Sequence, residues 1–188
     1  MRDKTDQIIA AALRVFLRKG YLQATTQEIA KEAEVAEMTL FRKFSTKQNL
    51  FLSVFKPIIA RQFDSKIMQF AKEEETAEFF RKILFDRLET MSRNDQVVRV
   101  LIAESVMKNL DQSINMPEIL LNSLKQAIEA HFSLKNTTID GERCARLIAG
   151  MMLSHVILPE KVPFYKLPEQ SKREIVDRYV NTLFHFLT

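Results

Sequence analysis

Tryptophan is absent from the sequence, glycine occurs three times, proline five times and cysteine once. With so few turn formers, and no long alternating run of Val, Ile, Thr and Tyr, hairpins and sheets have little material. The lone Cys144 has no disulfide partner, which points to a reducing cytoplasm. Long apolar runs are missing too. The longest, Leu147 to Leu158, contains Ser154 and His155 and falls short of the ~20 apolar residues that a bilayer crossing needs. The N-terminus carries Asp3 and Asp6 ahead of its first apolar face, so no signal peptide and no membrane association are expected.

What is present is apolar and helical. Hydrophobic residues make up 46% of the 188, with 14 Phe and 8 Met, beside 28% charged residues, which suits a sizeable core under a solvated surface. Apolar positions recur at helical spacing in nine segments. The first runs from about Asp3 to Lys19, with Ile8, Ile9, Ala12, Leu13, Phe16 and Leu17 as its stripe and Gly20 as its stop. Thr25 and Glu28 form a capping box for a second helix, about Thr26 to Ala33. A third, Glu37 to Phe44, puts Leu40 and Phe44 on one side, and Ser45 with Gln48 suggests another capping box for a fourth. The fourth continues through Leu50, Phe51, Val54, Phe55, Ile58, Ile59, Phe63 and Met68, with Pro57 expected to kink it. Five more follow: Thr76 to Ser92; Asp95 to Leu110, with Val98, Leu101, Ile102 and Val106 inward; Pro117 to Phe132; Asp140 to Leu158; and Pro168 to the C-terminus. The proline-rich stretch Pro159 to Pro168 reads as a connector.

Charge is uneven along the chain. Residues 1–47 hold nine basic and six acidic side chains, while the whole chain is only +4, so the head is mildly basic and the body nearly neutral. Such a head fits a polyanionic partner.

Catalytic constellations fail on spacing. Cys144 and His155 share a helix face but lie about 16 Å apart along its axis, and His131 and His185 stand apart from any motif. No cluster has metal-ligand spacing and no glycine-rich loop is present, so neither a cofactor nor a metal is expected, and a helical enzyme is the remote alternative.

The order and spacing of Gly20-Tyr21, Thr25-Thr26, Ile29-Ala30, Ala33, Val35, Thr39-Leu40-Phe41, Phe44, Lys47 and Leu50 resemble the DNA-binding domain of the TetR family of bacterial transcription regulators. The resemblance covers roughly the first quarter of the chain. It implies an all-α fold of about nine helices: a three-helix helix-turn-helix domain over residues 1–47, then a larger effector-binding and dimerisation domain over 48–188. By that resemblance the third helix enters the DNA major groove, with Glu37, Met38, Thr39, Phe41 and Lys43 facing the groove or its walls. Thr26, Gln27 and Lys47 take the places of phosphate-facing residues, and Gln27, Glu37, Met38 and Thr39 are the candidates to read bases. The resemblance further implies a double-stranded palindromic operator, a homodimer through the eighth and ninth helices, and a swing of the fourth helix that releases the operator when a small apolar or amphipathic effector binds. An architectural or activating DNA-binding protein of the same fold, without an effector, is the alternative.

Three positions depart from the family pattern. Glu34 stands where the turn usually has Gly, Phe41 where the third helix usually has Tyr, and Met38 where a small residue is frequent. Phe41 and Met38 suit a thymine methyl, so an A/T-containing half-site is expected. Glu37 is able to accept from cytosine N4; the competing reading is a solvated carboxylate balanced by Lys43 or Arg42. Phe79, Phe80, Met91, Met107, Met116, Met151 and Met152 are candidates to line an effector cavity, and core is the competing reading.

Overall fold

In the computed structural model, residues 4–63, 66–109, 114–158 and 161–187 are described, and of residues 61–63 and 187 the backbone alone. The expected helix start at Asp3, the helix end at Leu110, and Pro159 lie outside the described residues, as do the side chains of Phe63 and Leu187. The described chain holds ten α-helices and no strand. They are α1 (Thr5–Gln23), α2 (Thr26–Glu32), α3 (Glu37–Phe44), α4 (Lys47–Phe63), α5 (Ile67–Phe70), α6 (Thr76–Arg93), α7 (Asp95–Val106), α8 (Met116–Leu134), α9 (Gly141–Ile157) and α10 (Glu169–Leu187), with a 3₁₀ turn at Phe164–Lys166 before α10. The four-residue α5 and the 3₁₀ turn are too short to show a periodicity in the sequence. Two compact units result: residues 1–61 with 99–116, and residues 62–98 with 117–188.

In the first unit, α1 buries Ile8, Ala11, Ala12, Val15 and Phe16, a stripe rotated from the expected one so that Ile9, Leu13 and Leu17 are half-buried. Phe16 meets Phe51 edge-on at 4.9 Å between ring centroids, Phe51 lies 4.2 Å from Phe55, and Tyr21 abuts Phe51 at 5.2 Å. This aromatic cluster fixes α1 against α4. Gly20, at φ 75°, interrupts α1 where the sequence places its stop. A Cβ there would stand 2.7 Å from Glu104 Oε1, the end of a side chain that would have to shift, and it is the dihedral that demands glycine.

The capping box of α2 forms as expected: Glu28 N–H donates to Thr25 Oγ1 at 3.2 Å, and Thr25 N–H to Glu28 Oε2 at 3.3 Å. The expected box at Ser45 and Gln48 does not. Ser45 is spent on closing α3 in a left-handed conformation, φ 62°, and the cap moves one residue on, where Asn49 N–H donates to Thr46 Oγ1 at 3.0 Å. From Lys47, α4 stays helical through Pro57 to Phe63. In α7, Val98 and Leu101 are buried as expected, whereas Val106 is 70% exposed.

In the second unit α6 is the central helix, packed against α5, α9, α10 and the 3₁₀ turn, and its Phe79, Phe80, Ile83, Leu84 and Leu88 face inward. His131 of α8 is fully buried and stacks on Phe79 at 4.1 Å. A carbonyl only accepts, so its Nδ1–H donates to Ala71 O at 3.1 Å, and Nε2 takes the Thr76 hydroxyl at 3.0 Å. The neutral ring is thus fully satisfied.

Two outcomes are expected. Glu34, exposed at φ 50°, carries the strain of a left-handed non-glycine residue. Glu34→Gly should therefore stabilise the fold by about 1 kcal/mol, measured by thermal melting; an unchanged midpoint would count against the strain. Burial, followed by the nearby Lys135 charge, lowers the pKa of His131 against the opposing pull of the Ala71 carbonyl and Glu73. The unfolded ring protonates near 6.5, so this stability is complete above that pH and drains away as pH falls below it. Urea unfolding at pH 7.5 and 5.5 should show the loss, and His131→Gln should shrink it.

Candidate nucleic-acid interface

The turn between α2 and α3 closes through backbone bonds, with Ala33 N–H on Ile29 O at 2.8 Å and Val35 N–H on Ala30 O at 3.0 Å. Glu34 supplies the left-handed residue that this turn requires, which is why the family pattern has Gly there. From α2, Ile29 and Ala30 are buried, and from α3, Leu40 and Phe44. At 100° per residue, the arc opposite Leu40 and Phe44 is centred on Met38 and Arg42, with Thr39 and Phe41 flanking it. Met38 is 83% exposed and Phe41 43%; Arg42 is exposed and pairs with no acid among the described residues. Sequence matching passed over Arg42, although its position four residues beyond Met38 puts it at the middle of the outward arc.

Glu37 and Lys43 sit on the shoulders of α3 and turn toward the protein. Lys43 Nζ donates to Thr5 Oγ1 at 2.8 Å, tying α3 to α1. Thr26 Oγ1 donates to Glu37 Oε1 at 2.6 Å, tying the first residue of α2 to the first of α3. Two side chains expected to meet DNA separately are therefore joined to each other. Neither Lys43 nor Arg42 forms an ion pair with Glu37. Gln27 is exposed beside Thr26.

Lys47 has a second commitment. Its ammonium donates to the carbonyls of Tyr21 at 2.9 Å, Ala24 at 3.1 Å and Leu22 at 3.3 Å, and lies 4.5 Å from the centre of the Tyr21 ring. Three N–H groups meet three carbonyls, which consumes its donors. Three other cations of this face are also matched. Glu32 accepts from Arg14 at 2.7 Å and Arg18 at 2.9 Å, bonds that hold its carboxyl below the usual range, and Lys19 pairs with Glu28. Lys31 and Arg42 are left exposed without ion pairs among the described residues.

Elsewhere no catalytic set assembles among the described residues. Cys144 is buried, and desolvation pushes its thiol up to about 11, the opposite of an activated nucleophile. His155 Nε2 lies 2.7 Å from the Tyr179 hydroxyl. No group of three or more metal-ligating residues occurs among the described residues, and no described helix is long and apolar enough to cross a membrane. Of the seven candidate effector residues, Phe79, Phe80, Met91, Met116 and Met152 are packed into core, Met151 is half-buried and Met107 is 67% exposed. A groove of about 1010 Å³ runs instead along α6 and α10, with Phe70, Phe85 and Val176 among its lining and Arg81, Arg173 and Glu89 around them.

Residues 8–54 match the family described as bacterial regulatory proteins, tetR family. The chain is 31% identical over 120 residues to the fatty acid metabolism regulator protein of Bacillus subtilis (strain 168), a match covering 63% of this chain and 61% of that relative. The chain thus spans less than two thirds of that relative's length. The structure superposes on the fatty acid degradation regulator FadR from Bacillus halodurans with a TM-score of 0.70 at 21% identity, over 97% of this chain and 99% of that one. It also superposes on FadR from Bacillus subtilis in complex with stearoyl-CoA, with a TM-score of 0.64 at 22% identity, over 97% and 96% of the two chains. The helix-turn-helix thus forms at the residues that match the tetR family of bacterial regulatory proteins, and the fold of these solved structures is shared along nearly the whole length.

Proposed function

We propose that the protein is a cytoplasmic, ligand-responsive transcription regulator: a homodimer that represses from a palindromic operator and is released by a small amphipathic effector. The DNA-binding head is assigned to residues 1–47 and the effector-binding, dimerising body to residues 48–188. The observation that carries the reading is the outward arc of α3. Met38, Thr39, Phe41 and Arg42 project from a short helix whose opposite side is pinned by Leu40 and Phe44, the arrangement that a groove-reading helix needs. Thr39 and Met38 take the base-reading role, beside Gln27 from α2; Arg42 is added as a phosphate contact.

Dimerisation is assigned to α9 and α10, the last two long helices. Val176, Val180 and Leu183 already close the chain's own core, but Ile157 and Leu158 at the end of α9 are 56% and 59% exposed and Phe186 on α10 is 42% exposed. Large apolar side chains on this pair suit an isologous partner, and a two-fold axis would give the two recognition helices their operator symmetry. For the effector, the relative named for fatty acid metabolism and the stearoyl-CoA complex make a long-chain acyl thioester the first to test.

The experiment is binding of the purified protein to the DNA flanking its own gene and to random DNA, each at two salt concentrations, with and without stearoyl-CoA. Binding about a thousandfold tighter to a symmetric site, weakened by the ligand, is the expected result. Equal affinity for both DNAs, there and at every site in a genome-wide map, would overturn it. At a hundredfold excess over its Kd, a true effector should also stabilise the protein by about 2.7 kcal/mol.

Residue tests follow from the geometry. Arg42→Ala should weaken binding to all sequences alike and lower the salt slope by about one. Thr39→Ala should cost about 1 to 3 kcal/mol at the operator and little on random DNA. Lys47→Ala should lower the melting midpoint as well as DNA affinity, at about 2 kcal/mol of stability, because it frees the carbonyls of Tyr21, Leu22 and Ala24.

A further inference from the structure

We propose that the Thr26–Glu37 hydrogen bond is a latch that sets operator specificity by penalising every DNA that cannot open it, an inference that rests on the DNA-binding reading above. The Thr26 hydroxyl has one proton, and Glu37 Oε1 accepts it at 2.6 Å. A phosphate oxygen can only accept, so Thr26 cannot donate to a phosphate while the latch is closed. The Glu37 carboxylate, half-buried and without a cation paired to it among the described residues, also repels the phosphates that approach the first turns of α2 and α3.

On DNA of arbitrary sequence both effects oppose binding. The balance changes where the major groove presents an exocyclic amino group, cytosine N4 or adenine N6, within reach of the first turn of α3. There Glu37 exchanges the threonine hydroxyl for the base N–H, and the freed hydroxyl donates to the phosphate. Where the base N–H takes the Oε1 position that the threonine held, one swap makes two contacts, a base contact and a backbone contact. Thr26 therefore differs from an ordinary phosphate ligand, since its contribution appears only on the right sequence. Specificity arises as much from the cost imposed on wrong DNA as from the gain on right DNA.

The test uses the full-length protein, a mixed-sequence duplex, and duplexes selected by the wild type from a random library. Glu37→Gln keeps the size and the acceptor for Thr26 while removing the charge. It should bind the mixed-sequence duplex about threefold to tenfold tighter at low salt. In its own selection it should lose the wild-type preference at one base pair per half-site, a preference worth about tenfold or more. Thr26→Val keeps the shape and removes the hydroxyl. It should leave the mixed-sequence affinity within about twofold of wild type and weaken the selected duplex by about tenfold.

Equal losses for Thr26→Val on both DNAs would make Thr26 a plain phosphate ligand and overturn the latch. So would unchanged mixed-sequence affinity and unchanged base preference in Glu37→Gln. A wild type that binds no duplex at low salt would instead overturn the DNA-binding reading itself. Melting curves of both variants establish that they fold, and either variant alone is sufficient to decide against the latch.

Discussion

Where α1 breaks at Gly20, backbone groups lose their helical partners, and the placement of the whole head depends on how they are satisfied. Unpaired buried N–H and C=O groups are too costly to leave. Glu104 of α7, 9% exposed, takes the Tyr21 N–H at 2.7 Å and the Asn109 side chain at 2.8 Å. Lys47, at the first turn of α4, takes three carbonyls of the segment that follows. A carboxylate and an ammonium thus hold residues 21–24, the stretch after Gly20 that leads into α2. Because α2 holds α3 through the tight turn and the Thr26–Glu37 bond, the orientation of the outward arc is inherited from this junction.

Much of this was legible in the sequence, for identifiable reasons. Thr25 and Glu28 form a capping box because both partners lie within one helical turn, so spacing alone specifies the contact. Leu40 and Phe44 anchor α3 because four-residue spacing places them on one face. The failures are equally local. Ser45 looked like a cap, but the end of α3 claimed it for a left-handed conformation that no pattern of polarity announces. Val106 fits the helical period of α7 and is nonetheless exposed, because periodicity describes a helix and says nothing about where the opposing surface stops.

The sequence offers the candidate site as a set of positions and not as a network. Lys47 reads in sequence as a phosphate ligand, and its three carbonyl partners belong to residues more than twenty positions earlier. Thr26 and Glu37 are eleven residues apart on different helices, so nothing short of the turn geometry reveals that they meet. Arg42 was passed over for the converse reason: it stands out by pairing with no acid among the described residues, which no sequence pattern shows. Glu34 shows the two kinds of information together, since the departure from glycine is visible in sequence and its cost becomes visible in the φ of 50°.

These commitments bear on how such a head can bind at all. Nine basic residues against six acidic ones suggest an electrostatic surface, yet Arg14 and Arg18 are spent on Glu32, Lys19 on Glu28, and Lys47 on carbonyls. Affinity for DNA from counterion release scales with the number of phosphates neutralised. With Arg14, Arg18, Lys19 and Lys47 committed among the described residues, a DNA-binding head of this kind would gain less from that source than its basic count suggests, and the Glu37 charge would subtract from it. Two such heads joined in one molecule are a different case, because the second binds at the effective concentration that the first establishes, provided that the spacing fits. Weak single heads make that proviso decisive: a geometric misfit removes nearly the whole of the second contribution and leaves a first that cannot hold alone. For the effector-driven release proposed above, this arrangement would serve better than a strongly basic head, which would cling to DNA through its charge regardless of spacing.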